Sequence, residues 1–271
     1  MILDGGAVRG AYMGAILAHF YSVGIRADFF DLIVGTSIGG TSATYYVAGQ
    51  IEEGLRFFTE HMPGKFITKV LGVPFFNMQY LAWAYRESRD KLNAELLRGR
   101  TPVYMPVSNS KTGKAEFVCL NNQEDPTWVM LNGVNVPVLG YNTAVLADGS
   151  REDGGFMEQP PVRHPFVEKA NEIWFLSPFT REYRSSEFKS KIIALFLGAF
   201  DPDVRRMVAN MASRSNAARN TLDGMADVRV IRPERKLEIG WAHKDVPAIK
   251  RVMALGTDDA KRFLDSKSMK P

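Results

Sequence analysis

Residues 29–40 read FFDLIVGTSIGG. An apolar run stops at Gly35, Ser37 follows two residues later, and Gly39 stands two residues after that. This is the G-x-S-x-G pattern of a serine on a sharp strand-to-helix turn. Such a turn needs small neighbours, and Gly35 and Gly39 supply them. The helix that follows would aim its free N–H groups and positive dipole end at the serine. The pattern therefore demands a strand ending in the elbow, a helix leaving it, and a group able to take the Ser37 proton. A glycine-rich strand-to-helix turn with a capping serine is the plainer alternative.

The first fifty residues fit that demand. Residues 1–3 are the stub of a strand, 4–10 a glycine loop, and 11–23 carry apolar residues at helical spacing. Gly24 is placed to close that helix in a left-handed cap. Residues 29–34 read as a buried strand and 41–48 as a helix ending near Gly49. Strand, loop, helix, strand, elbow, helix implies a parallel sheet with helices on its faces.

The loop after Asp4 reads DGGAVRGAYMGAIL. Glycines between a strand and a helix turn consecutive N–H groups toward an anion. That anion could be a pyrophosphate or the oxyanion of a tetrahedral intermediate. Residues 5–10 are a near miss to the dinucleotide G-x-G-x-x-G, with Asp28 or Asp31 about 20 positions on. Against a nucleotide, Ala7 stands where close backbone approach needs glycine, and a nucleotide fold has no use for the serine elbow.

A base for Ser37 can be sought among four histidines. His19 lies on the first helix, too close to the glycine loop for a Ser…Asp…His order. His61 ends a helix and is expected at the surface. His164 and His243 come late enough for a triad, though a satisfied or solvated ring is the simpler reading of each. Asp153, in Glu152-Asp153-Gly154-Gly155, offers another route. An ordinary aspartate is a poor base for a serine, but one desolvated in a cleft has a raised pKa and is better suited. Asp148-Gly149, just before it, reads as an ordinary hairpin turn.

Three motifs in this order, GGAVRG from Gly5, GTSIG from Gly35 and DGG from Asp153, resemble the patatin-like phospholipase family. DGGFMEQPPV is similar to the family's DGG stretch, which runs on toward Asn-x-Pro. The hairpin PVSNSKTGKAEFV, the strand EIWFLSP, and VRVIRPERKLEIG with the later ALGTDDAKRFL are similar to bacterial members, so the resemblance covers nearly the whole chain. It implies a three-layer α/β/α fold with a mainly parallel central sheet. It implies hydrolysis of acyl esters of phospholipids or other lipids through an acyl-enzyme, with no metal, nucleotide or other cofactor. Ser37 would be the nucleophile of a Ser–Asp dyad and Asp153 its base, with Gly154 and Gly155 completing the turn. The amides around Gly5, Gly6 and Ala7 would form the oxyanion hole, with Arg9 bracing the loop. Two residues depart from the pattern. Ala7 replaces a usual third glycine, and Gln159 stands where asparagine is frequent. A non-catalytic lipid- or partner-binding member of the same fold is the alternative.

Composition narrows the partners. Lys and Arg number 34 against 30 Asp and Glu, and the basic residues are scattered, so no nucleic-acid footprint is visible. Their densest cluster, REYRSSEFKSK at 181–191, reads as a solvated loop or a contact for phosphate head groups. The single cysteine, Cys119, is expected buried in a strand, and no intrachain disulfide can form. No secretory signal or membrane-spanning run is seen, so the expectation is a cytoplasmic protein, peripheral at a membrane at most. Transient contact with a membrane surface or micelle is expected, with the apolar stretch from Val70 to Tyr85 as a cleft wall; the oligomeric state stays open. The run IIALFLGAF at 192–200 reads first as a core helix and second as an interfacial one. Helices are further expected over 51–62, 80–97, 161–170 and 204–225, a hairpin over 101–118, strands at 172–176 and 228–231, and a helical tail. The whole chain, 1–271, is expected to be one domain, with residues from about 200 onward a helix and strand extension packed on it.

Overall fold

The computed structural model describes residues 1–146, 151–197 and 201–268; the expected turn at Asp148-Gly149 and the end of the 192–200 run lie outside them. The chain opens as read: β1 (Ile2–Leu3), the glycine loop, α1 (Ala11–Ser22), β2 (Ile33–Gly35) and α2 (Ile38–Ala48). Gly24 and Gly49 close the two helices at φ 87° and 74°, the left-handed geometry that a side chain resists. β2 is shorter than expected. Residues 27–29 coil into a 3-10 turn closed by Phe30 N–H on the Ala27 carbonyl, and Phe29 is exposed.

The second quarter departs most from expectation. α3 (Ile51–Arg56) widens into a π-type turn over Phe57–Phe66 that breaks at Gly64, beside Pro63, which has no N–H to continue the ladder. The strands β3 (Ile67–Val70) and β4 (Val73–Asn77) then form a hairpin. α4 (Met78–Arg86) stops well before residue 97, because the chain turns to bury Asp90 against Arg56 and His61.

The expected hairpin is present as β5 (Val103–Asn109) and β6 (Lys114–Cys119), followed by α5 (Pro126–Gly133), β7 (Gly140–Tyr141), β8 (Arg151–Asp153) and β9 (Ile173–Leu176). Cys119, at the end of β6, is half-buried rather than buried. Residues 161–170 form turns instead of a helix; Pro165 removes a donor and keeps His164 out of helical geometry. α6 (Glu187–Leu197) leads to α7 (Pro202–Ala209) and α8 (Met211–Gly224), two helices broken at Asn210 where one was expected. β10 (Val228–Ile231) and α9 (Val246–Ser268) complete the chain as read.

The main sheet runs β10-β9-β1-β2-β5-β6, parallel from β10 to β5, with β6 antiparallel. Strand alternation assigns its faces. Leu3, Trp174 and Leu176 join the large core with Tyr12, Ile16 and Phe20 of α1 and Ile249 of α9. Ile2, Ile173 and Phe175 point the other way, onto Val167 and Leu222 of α8. Helices thus cover both faces of a mostly parallel sheet, the three-layer arrangement expected.

One strand carries two neighbours on the same edge. Along β5, β2 pairs with Val103 and Tyr104, while β8 pairs antiparallel further on, with Asp153 opposite Val107. Because β6 occupies the other edge, β2 and β8 meet head to head. This brings the chain after Gly35 against Asp153.

Candidate active site

Ser37 adopts φ 54° and ψ −126°, a sparsely populated region that costs on the order of 1–3 kcal/mol and persists only where packing enforces it. The packing is close. A Cβ on Gly35 would lie 2.5 Å from the Gly39 carbonyl carbon, and one on Gly39 would lie 2.5 Å from the Asp4 oxygen. Both glycines are therefore required by backbone approach. Thr36 pins the elbow on either side: its N–H bonds the Leu3 carbonyl at 3.1 Å and its buried hydroxyl donates to the Glu158 carbonyl.

The Ser37 hydroxyl donates to Asp153 Oδ2 at 2.5 Å. The other carboxylate oxygen accepts the Gly155 N–H at 2.7 Å. The Asp153 backbone is held from both sides, its N–H by the Asn135 carbonyl at 2.8 Å and its carbonyl by the Ser108 hydroxyl at 2.9 Å. Gly154 cannot carry a side chain, since a Cβ there would lie 2.1 Å from the Pro106 oxygen. Although Asp153 keeps some exposure as a residue, burial of its carboxyl pushes the pKa up to about 6, against the opposing bonds from Ser37 and Gly155. Its neighbour Glu152 is buried more completely. Desolvation, with the charges of Asp201 and Asp153, raises it to about 8 despite a 2.7 Å bond from the Asn135 amide. No histidine hydrogen-bonds Ser37 or Asp153 among the described residues.

The glycine loop is organised by a residue the sequence reading left without a role. Asp4 is fully buried and accepts the Gly5 N–H at 2.9 Å, the Ser177 hydroxyl at 2.8 Å and the Arg219 guanidinium at 2.8 Å. The expectation of three free amides is thereby narrowed, because the Gly5 donor is already engaged. The N–H groups of Gly6 and Ala7 have no partner among the described residues. Ala7 is held at φ 49°, so the missing glycine is replaced by an alanine in left-handed geometry. The bracing expected of Arg9 is shared: its guanidinium lies 4.7 Å from the Phe179 ring centre, as does that of Arg219. Val8 ties the loop to the Trp241 carbonyl at 3.1 Å. The buried guanidinium of Arg219 and the half-buried one of Arg9, set against one carboxylate, leave a positive field under the loop, favourable to an anion.

An apolar cavity of about 40 Å³ opens onto Ser37, Ala7 and Asp153. Phe76, Leu81 and Tyr85 line it, so the second half of the expected wall faces the site; Val70, Leu71 and Val73 instead form the exposed tip of the β3–β4 hairpin. Met62, Phe66, Val136 and Trp241 are also in the lining. A larger hollow of about 570 Å³ lies at the opposite ends of the strands, beside Ile2, Pro102 and Ile173. We give the small cavity the functional weight, because ligands of open parallel sheets bind outside the carboxyl ends of the strands.

The remaining expectations resolve simply. His61 is buried, not superficial, bonded to Tyr80 at 3.0 Å and Asp90 at 2.9 Å. His164 is buried among Tyr104, Phe117 and Phe166, and burial lowers its pKa. Gln159 reaches between the two glycine turns: a Cβ on Gly5 would lie 3.2 Å from its Nε2 and one on Gly155 2.8 Å from its Oε1. The longer amide fills the space behind Asp153. Ser177 and Arg219 gave no signal in the sequence, since only the fold brings them to Asp4.

A parallel sheet, a strained serine at its carboxyl edge and a buried carboxylate on that serine define an α/β protein with a serine–carboxylate site. The family model for patatin-like phospholipase matches residues 1–103, the stretch holding the glycine loop and the elbow, and supports the patatin-like family, a family of lipid acyl hydrolases, for this chain. Asp153 lies beyond the matched stretch. No curated protein matches the chain.

Proposed function

We propose that this protein is a serine acyl hydrolase acting on lipid esters through a Ser37–Asp153 dyad. The observation that carries the reading is the 2.5 Å hydrogen bond from Ser37 to a desolvated carboxylate at the mouth of an apolar cavity. Asp153 Oδ2 takes the hydroxyl proton as Ser37 Oγ attacks the acyl carbonyl carbon. The carbonyl electrons move to oxygen, and that oxyanion sits against the Gly6 and Ala7 N–H groups. Collapse breaks the ester bond, and the alcohol leaves with the proton held by Asp153. Water then gives a proton to Asp153 and attacks the acyl-Ser37 ester; the acid departs and the proton returns to Ser37. A pKa near 6 makes Asp153 a far better acceptor at neutral pH than an ordinary aspartate, while leaving it mostly ionised and ready. The apolar lining suits an acyl chain.

The test is hydrolysis of a soluble short-chain ester together with labelling by a fluorophosphonate. The wild type turns over the ester and is labelled, and Ser37→Ala does neither. A wild type that is neither active nor labelled is a non-catalytic binding protein. Full activity in Asp153→Asn would discard the dyad.

A further inference from the structure

The helix α6 has an apolar face that nothing among the described residues covers. At 3.6 residues per turn, Phe188, Ile192 and Leu195 fall at i, i+4 and i+7 and form one stripe. They are 73%, 52% and 63% exposed. On the opposite side, Ser190 and Ala194 are buried, with Ala194 in a cluster with Phe156, Val204 and Met207. Over residues 187–195 the helix is therefore seated on the protein by its small residues and shows its large ones to solvent, the reverse of a core helix. This overturns the first expectation for the 192–200 run over its described part and leaves the second.

The charges sit where an interface would want them. Lys191 lies on one side of the stripe and Lys189 on the other; both are exposed, and neither has an ion pair among the described residues. The helix's one acidic residue, Glu187, stands in its first turn, away from the centre of the stripe. An apolar stripe with a lysine on each flank is the pattern of a helix lying in the plane of a lipid surface, its rings and aliphatic groups in the acyl boundary and its ammonium groups among the phosphates. The position also fits. Phe156, on which Ala194 packs, closes the turn after Asp153, and Val136 both packs on this cluster and lines the Ser37 cavity.

We infer that α6 docks the protein on an anionic lipid surface through Phe188, Ile192 and Leu195, with Lys189 and Lys191 at the phosphates. The docking adds a substrate surface to the acyl hydrolase reading and rests on that reading only for its purpose.

The experiment is co-sedimentation with phosphatidylcholine vesicles, with and without phosphatidylglycerol, run beside soluble-ester turnover and the sedimentation velocity of the protein alone. The wild type binds the anionic vesicles, and salt weakens the binding. Ile192→Asp lowers binding at least about tenfold. Lys189→Gln and Lys191→Gln lower it about fivefold each on anionic vesicles only. All three variants keep wild-type turnover of the soluble ester. Absence of vesicle binding by the wild type, or equal binding by Ile192→Asp, overturns the inference. So does a wild-type dimer that Ile192→Asp dissociates, which would assign the stripe to a second copy of the chain. A wild type that binds vesicles but does not turn over the soluble ester removes the hydrolase reading and leaves the docking intact.

Discussion

Asp4 and Asp153 are both aspartates at the carboxyl edge of the sheet, and their surroundings differ in one partner that decides what each can do. Asp4 receives a guanidinium, a hydroxyl and a backbone N–H. Asp153 receives a hydroxyl and a backbone N–H, and no ion pair to it exists among the described residues. Asp4 is therefore a fixed anion that holds the loop before α1 in shape. Asp153 is an anion without a counter-charge, and burial makes it want a proton. The missing cation turns a structural residue into one suited to take a proton from Ser37.

Substitutions can break this contrast. The largest effect is expected from Asp153→Asn, which keeps the shape but cannot accept the Ser37 proton; kcat/KM for a soluble ester should fall by about 10³-fold or more. Asp4→Asn should chiefly cost stability, about 3 kcal/mol in urea unfolding, because Arg219 is left buried without its counter-charge. At Asp153 the sign reverses. An acid whose pKa is raised in the folded state has its full stability below the unfolded value, near 3.8, and loses it as pH rises through about 6. Asp153→Asn should thus unfold at higher urea than the wild type at pH 8, by about 3 kcal/mol, and come close to it at pH 4. Equal shifts at both pH values would mean the carboxylate is not desolvated.

A smaller effect is expected from pH itself. Since the reaction needs ionised Asp153, kcat/KM should fall about tenfold per unit below pH 6. Glu152 is still protonated there, because its pKa lies near 8, so Glu152→Gln should leave this limb in place. The smallest is Ala7→Gly, which relieves a left-handed alanine and should stabilise the fold by about 0.5–1 kcal/mol in thermal unfolding.

The elements that could be read ahead were those with local causes. The elbow follows from two glycines around a serine, the ends of α1 and α2 from Gly24 and Gly49, and β10 from an apolar run closed by Pro233. What could not be read depends on distant partners. The helical pattern of 80–97 was overridden by Asp90, which the chain buries against His61 and Arg56. Asp4 looked like loop punctuation until the fold set Arg219 beside it. Ile192 and Leu195 looked like core because an apolar run does not show which face has a neighbour, and Phe188 fell in the basic stretch read as a solvated loop or a contact for phosphate head groups. In the site, Ser37 and Asp153 stood out by their glycines, whereas the engagement of Gly5 by Asp4 needed coordinates.

The head-to-head meeting of β2 and β8 along β5 has a consequence for fidelity. Side chains alternate along β8, so Glu152 and Asp153 face opposite sides of the sheet. A slip of one residue against β5 would present Glu152 to Ser37 and turn Asp153 to the other side of the sheet. Each acid owes its raised pKa to its own surroundings, Glu152 to burial beside Asp201 and Asp153, and Asp153 to burial against the bonds from Ser37 and Gly155, so a slipped molecule would lose the tuned base along with its geometry. Soluble-ester turnover is thus a gauge of strand alignment, readable in any variant that alters the Arg151 contacts to Trp128 and Glu116.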